Sequence, residues 1–167
     1  MLDKELIFLD TEFTSLNPYI GEILSIGMVK ENGEEFYIEL ECMAEPSDWV
    51  KENILSTLTD AKIPREEAKI RIIDFVGHDE PVMVSYVSQY DTIYFYKLFE
   101  GPETPFFWLP IDFASILFVR GYSPEDCIPG GRLYKDLDID AQSYHQHHAL
   151  DDARLLRETY AKLHGNM

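Results

Sequence analysis

Three apolar runs near the start of the chain leave it little freedom in how to fold. Leu6-Ile7-Phe8-Leu9 has no polar break, residues 23–29 are nearly as apolar, and residues 36–40 set aromatic and aliphatic side chains around a single Glu. An unbroken apolar run of this length fits a strand buried on both faces. Asn17-Pro18 with Gly21 marks a turn after the first run, and Glu31-Asn32-Gly33 divides the second from the third. Asn-Gly between two β-favouring runs is a strong hairpin signal, because both residues tolerate positive φ. The three runs therefore read as an antiparallel meander.

Beyond residue 45 the hydrophobic period lengthens. Ser47-Asp48 precedes Val50, Ile54, Leu55 and Leu58 at helical spacing, and Pro64 opens a second helix over 65–76, where its missing N–H costs nothing. Residues 82–86 predict a fourth strand, 91–99 a helix, 107–109 a short fifth strand before Pro110, and 112–119 a helix started by a structural Asp112. A last helix over 150–163 carries Leu155, Leu156, Tyr160 and Leu163 on one stripe. The expected class is α/β: a mixed five-stranded sheet, an antiparallel meander of three strands followed by parallel strands, flanked by helices. That is the outline of a ribonuclease-H-like fold. No linker, repeat or low-complexity tract divides the chain, so residues 1–167 read as a single domain.

Cys42 and Cys127 are too few for a disulfide scaffold and read as reduced thiols. The first residues lack a basic segment followed by an apolar one, and no apolar stretch is long enough to span a bilayer. A cytoplasmic protein with no membrane association is expected. The net charge of −17 opposes a nucleic-acid partner, because it supplies no general basic footprint. A protein that holds only a strand end through metal ions needs less basic surface than one that coats the polymer.

Asp10 and Glu12 end the first apolar run at positions i and i+2, so strand alternation puts both carboxylates on one face. Two like charges this close repel, and a hard divalent cation resolves the conflict. Alone, such a pair is more often a solvated strand end. Asp91 follows the fourth strand and opens an aromatic-rich helix, where a capping role is the commoner explanation. His147 stands in the loop before the last helix and Asp152 in that helix's first turns. Imidazole titrates near neutral pH and suits a general base. His145 and His148 share the same loop, and His145 reads as surface.

Taken together, Asp10-Thr11-Glu12-Phe13, Tyr90-Asp91 and His147-His148-Ala149-Leu150-Asp151-Asp152 resemble the DEDDh (DnaQ-like) 3′–5′ exonucleases. Leu24-Ser25-Ile26-Gly27 is similar to the second strand of that family. Trp49-Val50-Lys51-Glu52-Asn53 resembles a branch of small bacterial 3′–5′ exoribonucleases. Many family members carry His-Asn where this chain has Tyr86-Val87, and that branch is also aromatic there. The resemblance implies two Mg²⁺ ions, for which Mn²⁺ substitutes. Asp10 would bridge both, Glu12 and Asp152 would complete the first, and Asp91 would hold the second. It implies His147 as the base, a nucleoside 5′-monophosphate product, and Phe13, Thr14, Leu16 and Tyr86 as substrate contacts, with Leu16 as a wedge between bases. The partner implied is the 3′ end of single-stranded RNA or DNA, RNA preferred, and the assembly a homodimer. Geometrically, the four carboxyl groups should converge, and His147 rather than His148 should face them.

Two other readings stand beside this one. A catalytically silent binding or scaffold protein of the same fold would suit the acidic surface, although every expected catalytic residue is present. A DNA proofreading module would be expected to carry partner-binding segments at its termini, and Met1 and Met167 lie close to the first and last elements.

Overall fold

A computed structural model describes residues 4–165; the two chain ends, residues 1–3 and 166–167, lie outside the described residues. The meander forms as read. Strands β1 (Leu6–Phe13), β2 (Ile23–Lys30) and β3 (Glu35–Leu40) pair antiparallel in sequence order. Gly33, at φ +92°, supplies the positive φ that the hairpin turn needs, and its amide donates to the Lys30 carbonyl at 3.0 Å.

Six strands complete the sheet in the order β4-β3-β2-β1-β5-β6, one more than the sequence suggested. The addition is β4 (Lys62–Ile63), a two-residue strand parallel to the outer edge of β3 and too short to show a period. β5 (Val82–Ser85) lies parallel to β1. The expected strand over 107–109 is corrected: β6 is Ile111–Asp112, parallel to β5 and just beyond Pro110. The Phe107 amide instead donates to the Pro81 carbonyl, and Trp108 and Leu109 are exposed. Apolar character misled there because these side chains face solvent.

The helices are α1 (Asp48–Asn53), α2 (Arg65–Val76), α3 (Ser88–Phe99), α4 (Phe113–Val119), α5 (Arg132–Asp136) and α6 (Ala149–Gly165). Ser47 caps α1 by accepting from the Val50 amide at 3.3 Å, and Asp112 caps α4 by accepting from the Ser115 amide at 3.0 Å. Asp112 also accepts from the Ser88 amide at 3.1 Å, which ties the start of α3 to the start of α4.

Strand alternation sorts the core into two layers. Ile7, Leu9, Ile26 and Met28 pack with α2 and α3 on one face, through residues such as Ile72 and Phe95. Phe8 and Val84 pack on the other face with α4, α5 and α6, through Leu117, Leu133 and Leu156. Helix α6 crosses β1 and β2 closely because Gly27 has no side chain. A Cβ there would run into the backbone of Ala149 and Leu150. Ala149 and Ala153, both fully buried, keep the helix side of that crossing equally slim.

Candidate active site

Asp10 and Glu12 project from the end of β1 toward α6, on the face that Phe8 also uses. The ladder between β1 and β2 slips by one residue between Glu12 and Phe13, a bulge of the kind that re-aims side chains beside functional sites. The first turn of α6 brings Asp152 over this point, and His147 precedes the helix. Glu12, His147 and Asp152 each offer a ligand atom, all within 4.8 Å of one another.

Asp91 lies on the α3 side, close enough for its charge to raise Asp10 and Glu12, but it is outside that three-residue group and lines neither of the cavities beside it. It stands in the first turn of α3, whose cap is Val87, a position at which an acid favours the helix dipole, as its place in the sequence suggested. Thr11, pointing to the opposite face from Asp10 and Glu12, donates its hydroxyl to Asp91 at 2.7 Å and holds the carboxylate in place. His148 turns away from the acids and stacks on Tyr37 with ring centroids 4.6 Å apart.

The electrostatics follow from burial without compensation. Desolvation, and then the charges of Asp152, Glu12 and Asp91, push the Asp10 carboxyl well above the usual range. Glu12 is raised to about 8 by burial and by repulsion from Asp152 and Asp91. Burial raises Asp152 to about 7 while the His147 backbone draws it down. Burial raises Asp91 to about 6 against the Thr11 hydrogen bond. Burial lowers His147, favouring the neutral imidazole that can accept a proton.

Two cavities meet at these residues. One, of about 670 Å³, is walled by Phe13, Leu16, Trp49 and Ile54 and has Asp10, Glu12, His147 and Asp152 at its base. The other, of about 270 Å³, shares Asp10, His147 and Asp152 and is lined by Tyr86, Cys127 and Tyr134. Among the described residues, no lysine or arginine lines either cavity.

The expected substrate contacts divide. Leu16 is 64% exposed at the first cavity, Phe13 stacks on Tyr94 at 4.5 Å beside it, and Tyr86 lines the second. Thr14 is corrected: it is fully buried, and its hydroxyl accepts from the Glu22 amide at 3.0 Å, so it secures the loop after β1 instead of facing the cavity.

The chain is similar to the DNA polymerase III PolC-type of Thermotoga maritima, with 23% identity over 96% of this chain and 12% of the polymerase. Its structure resembles E. coli exonuclease I in complex with a dT13 oligonucleotide, at TM-score 0.72 and 15% identity over 96% of this chain and 41% of that one. It also resembles the zinc-ion-bound form of the E. coli exonuclease I–single-stranded DNA complex, at TM-score 0.68 and 14% identity over 98% and 40%. The fold is that of exonuclease I. The chain spans well under half the length of each of these proteins. No protein-family model matches it.

Two residues beside these acids were given no site role from the sequence. Trp49 is 53% exposed and meets the His147 ring edge-on at 5.1 Å. Its signal was a large aromatic set off the Val50–Ile54 stripe in the first turn of α1. Thr11 was overlooked because it stands between two conspicuous acids, although alternation alone sends its hydroxyl to the other face.

Proposed function

We propose that the chain is a single metal-dependent 3′–5′ exonuclease domain that removes nucleoside 5′-monophosphates from the 3′ end of single-stranded nucleic acid. The observation that carries this reading is a set of buried carboxylates in which burial, and then mutual repulsion, lifts Asp10 and Glu12 far from their ordinary range, with no lysine or arginine among the described residues lining the cavities there. All-oxygen donors crowded in this way fit hard divalent cations.

Asp10, Glu12, Asp91 and Asp152 would hold two Mg²⁺ ions, for which Mn²⁺ would substitute. When bound, the ions make a water more acidic and offset charge on the departing 3′-oxygen. His147, kept neutral by burial, accepts the proton of the attacking water at an imidazole nitrogen. Trp49, Phe13 and Leu16 form the wall against which the terminal nucleotide rests, with Leu16 free to part it from the next base. Tyr86, which lines the second cavity, is a further contact for the strand.

For the sugar, RNA is the proposed preference. It rests on the resemblance of the Trp49–Asn53 segment and of aromatic Tyr86 to the exoribonuclease branch. The exonuclease I complexes with single-stranded DNA favour DNA as the second reading. Incubating 5′-labelled single-stranded RNA and the matching DNA with Mg²⁺, Mn²⁺ or EDTA separates them, with Asp10→Ala exposing any contaminating nuclease. A metal-dependent ladder that shortens from the 3′ end is expected, faster on RNA. Faster loss of DNA overturns the sugar assignment. Intact substrate in every metal overturns the enzyme and favours a binding protein of this fold.

A further inference from the structure

His147 adopts φ +58°, the left-handed region that a residue with a side chain enters only when its surroundings dictate it. Two contacts flank this residue, and neither belongs to the cavities. On one side the Thr57 hydroxyl, in the turn that follows α1, lies 2.9 Å from the His147 carbonyl. The same hydroxyl lies 2.9 Å from the Ile54 carbonyl, but it has a single proton to give. Ile54 already accepts from the Thr57 amide at 2.9 Å, whereas the His147 carbonyl has no other partner among the described residues. The proton is therefore better placed on His147. On the other side, His148 stacks on Tyr37.

Both contacts lead back to Glu39. This carboxylate is 1% exposed, and its Oε1 accepts from the Tyr37 hydroxyl at 3.1 Å and from the amides of Thr59 and Asp60 at 2.7 and 2.9 Å. One buried acid thus fixes the ring under His148 and the chain just after Thr57. Glu39 stands level with Ser25 on β2 and, through it, with Glu12 on β1, so the support lies in the same row of the sheet as the site.

We propose that Thr57, backed by Glu39, is a positioning residue for His147. The pair holds residue 147 in its left-handed conformation and so keeps the imidazole turned toward Glu12 and Asp152. The catalytic consequence rests on the reading of His147 as the base; the conformational one does not.

Thr57→Val removes the hydroxyl at constant volume, and Thr57→Ser keeps it. In Thr57→Val, kcat should fall by about tenfold, the effect of one lost oriented hydrogen bond, with KM and calorimetric Mn²⁺ affinity unchanged. Thr57→Ser should restore the rate. In a His147→Ala background the Thr57→Val penalty should vanish, because a residue acting through His147 has nothing left to act on. In metal-free protein, scalar couplings and carbon shifts should show residue 147 leaving positive φ in Thr57→Val and staying there in Thr57→Ser. An undiminished penalty in the His147→Ala background, or a left-handed residue 147 in Thr57→Val, overturns the proposal. If His147→Ala alone leaves turnover intact, the base assignment falls, while the φ measurement still decides whether Thr57 sets the conformation. Should Thr57→Val not fold, Glu39→Gln, isosteric but a weaker acceptor, must show the same His147-dependent loss; a loss independent of His147 refutes the proposal.

Discussion

Gly27→Ala tests whether the site depends on how closely α6 approaches the sheet. Gly27 pairs with Asp10 on β1 and with Tyr37 on β3, at the centre of the face that α6 covers. The added methyl would meet the carbonyl carbon and oxygen of Ala149 and the amide nitrogen of Leu150. All three are backbone atoms at the start of a helix, so no side chain can swing aside. Restoring ordinary contact, near 3.5 Å, requires the first turn of α6 to retreat by roughly 1 Å.

Overpacking of this kind costs about 1–3 kcal/mol. For a chain of this size that lowers Tm by roughly 2–4 °C per kcal/mol, or about 2–12 °C in all. The catalytic effect should be larger than the loss of folded protein explains. Asp152 rides on the displaced turn and His147 lies just before it, and a misplacement near 1 Å costs about 10²-fold in rate. Thermal unfolding by circular dichroism and kcat on a single-stranded substrate with Mg²⁺ measure the two effects. Gly101→Ala is the control, since a Cβ there meets nothing within 4 Å. Unchanged Tm and kcat in Gly27→Ala would refute the close-packing argument. A lowered Tm with normal kcat would show that the site does not move with the helix.

Metal-free protein should lose stability as pH rises from about 4 to about 8. Asp91, Asp152 and Glu12 titrate near 6, 7 and 8 when folded, against ordinary values of 3.8, 3.8 and 4.5, so the folded state binds more protons across that window. Protection by protonation is complete below the ordinary values and gone above the folded ones. Saturating Mg²⁺ should raise Tm more at pH 8 than at pH 5, and equal Tm gains at both would contradict a repulsive metal site. Trp49→Ala should weaken kcat/KM by roughly 5- to 100-fold if a base stacks on the indole, with Mn²⁺ affinity unaltered. A rate equal to that of the unmodified protein would remove Trp49 from the substrate wall.

Strands β1, β2, β3 and β5 and most helices were legible from local signals such as the apolar β1, the Asn32-Gly33 turn, the Ser47 cap and the Pro64 start. β4 and α5 carried none, being two and five residues long and so too short to show a period. The acids were legible because charge at the end of a buried strand is conspicuous, and the histidine because of its distance from the α6 acid. Thr14 misled because a hydroxyl one residue beyond the site motif resembles a substrate contact, whereas its partner is the backbone of Glu22. The supports of His147 were invisible for a different reason. Thr57 and Glu39 stand far from it in sequence and act through a carbonyl and a stacked ring, which no local pattern encodes.

A chain of net charge −17 that engages a polyanion must keep its affinity local, and the structure indicates how. Many of its cations are committed to the fold. Arg65 donates to the Leu98 carbonyl, Arg157 to that of Glu31 and Lys97 to that of Pro18, while Arg154 is shared between Glu35 and Asp151. Such groups tie helices to loops, to a strand and to one another, and leave little charge for a phosphate track. Affinity on the proposed reading then comes from ions held by the buried acids and from bases resting on Trp49, Phe13 and Leu16, within one or two nucleotides of the terminus. A longer strand gains nothing from the acidic surface it would have to cross, and counterion release, which scales with phosphates neutralised, stays small. The same acidity that opposes coating of a polymer therefore favours a site that takes only its end.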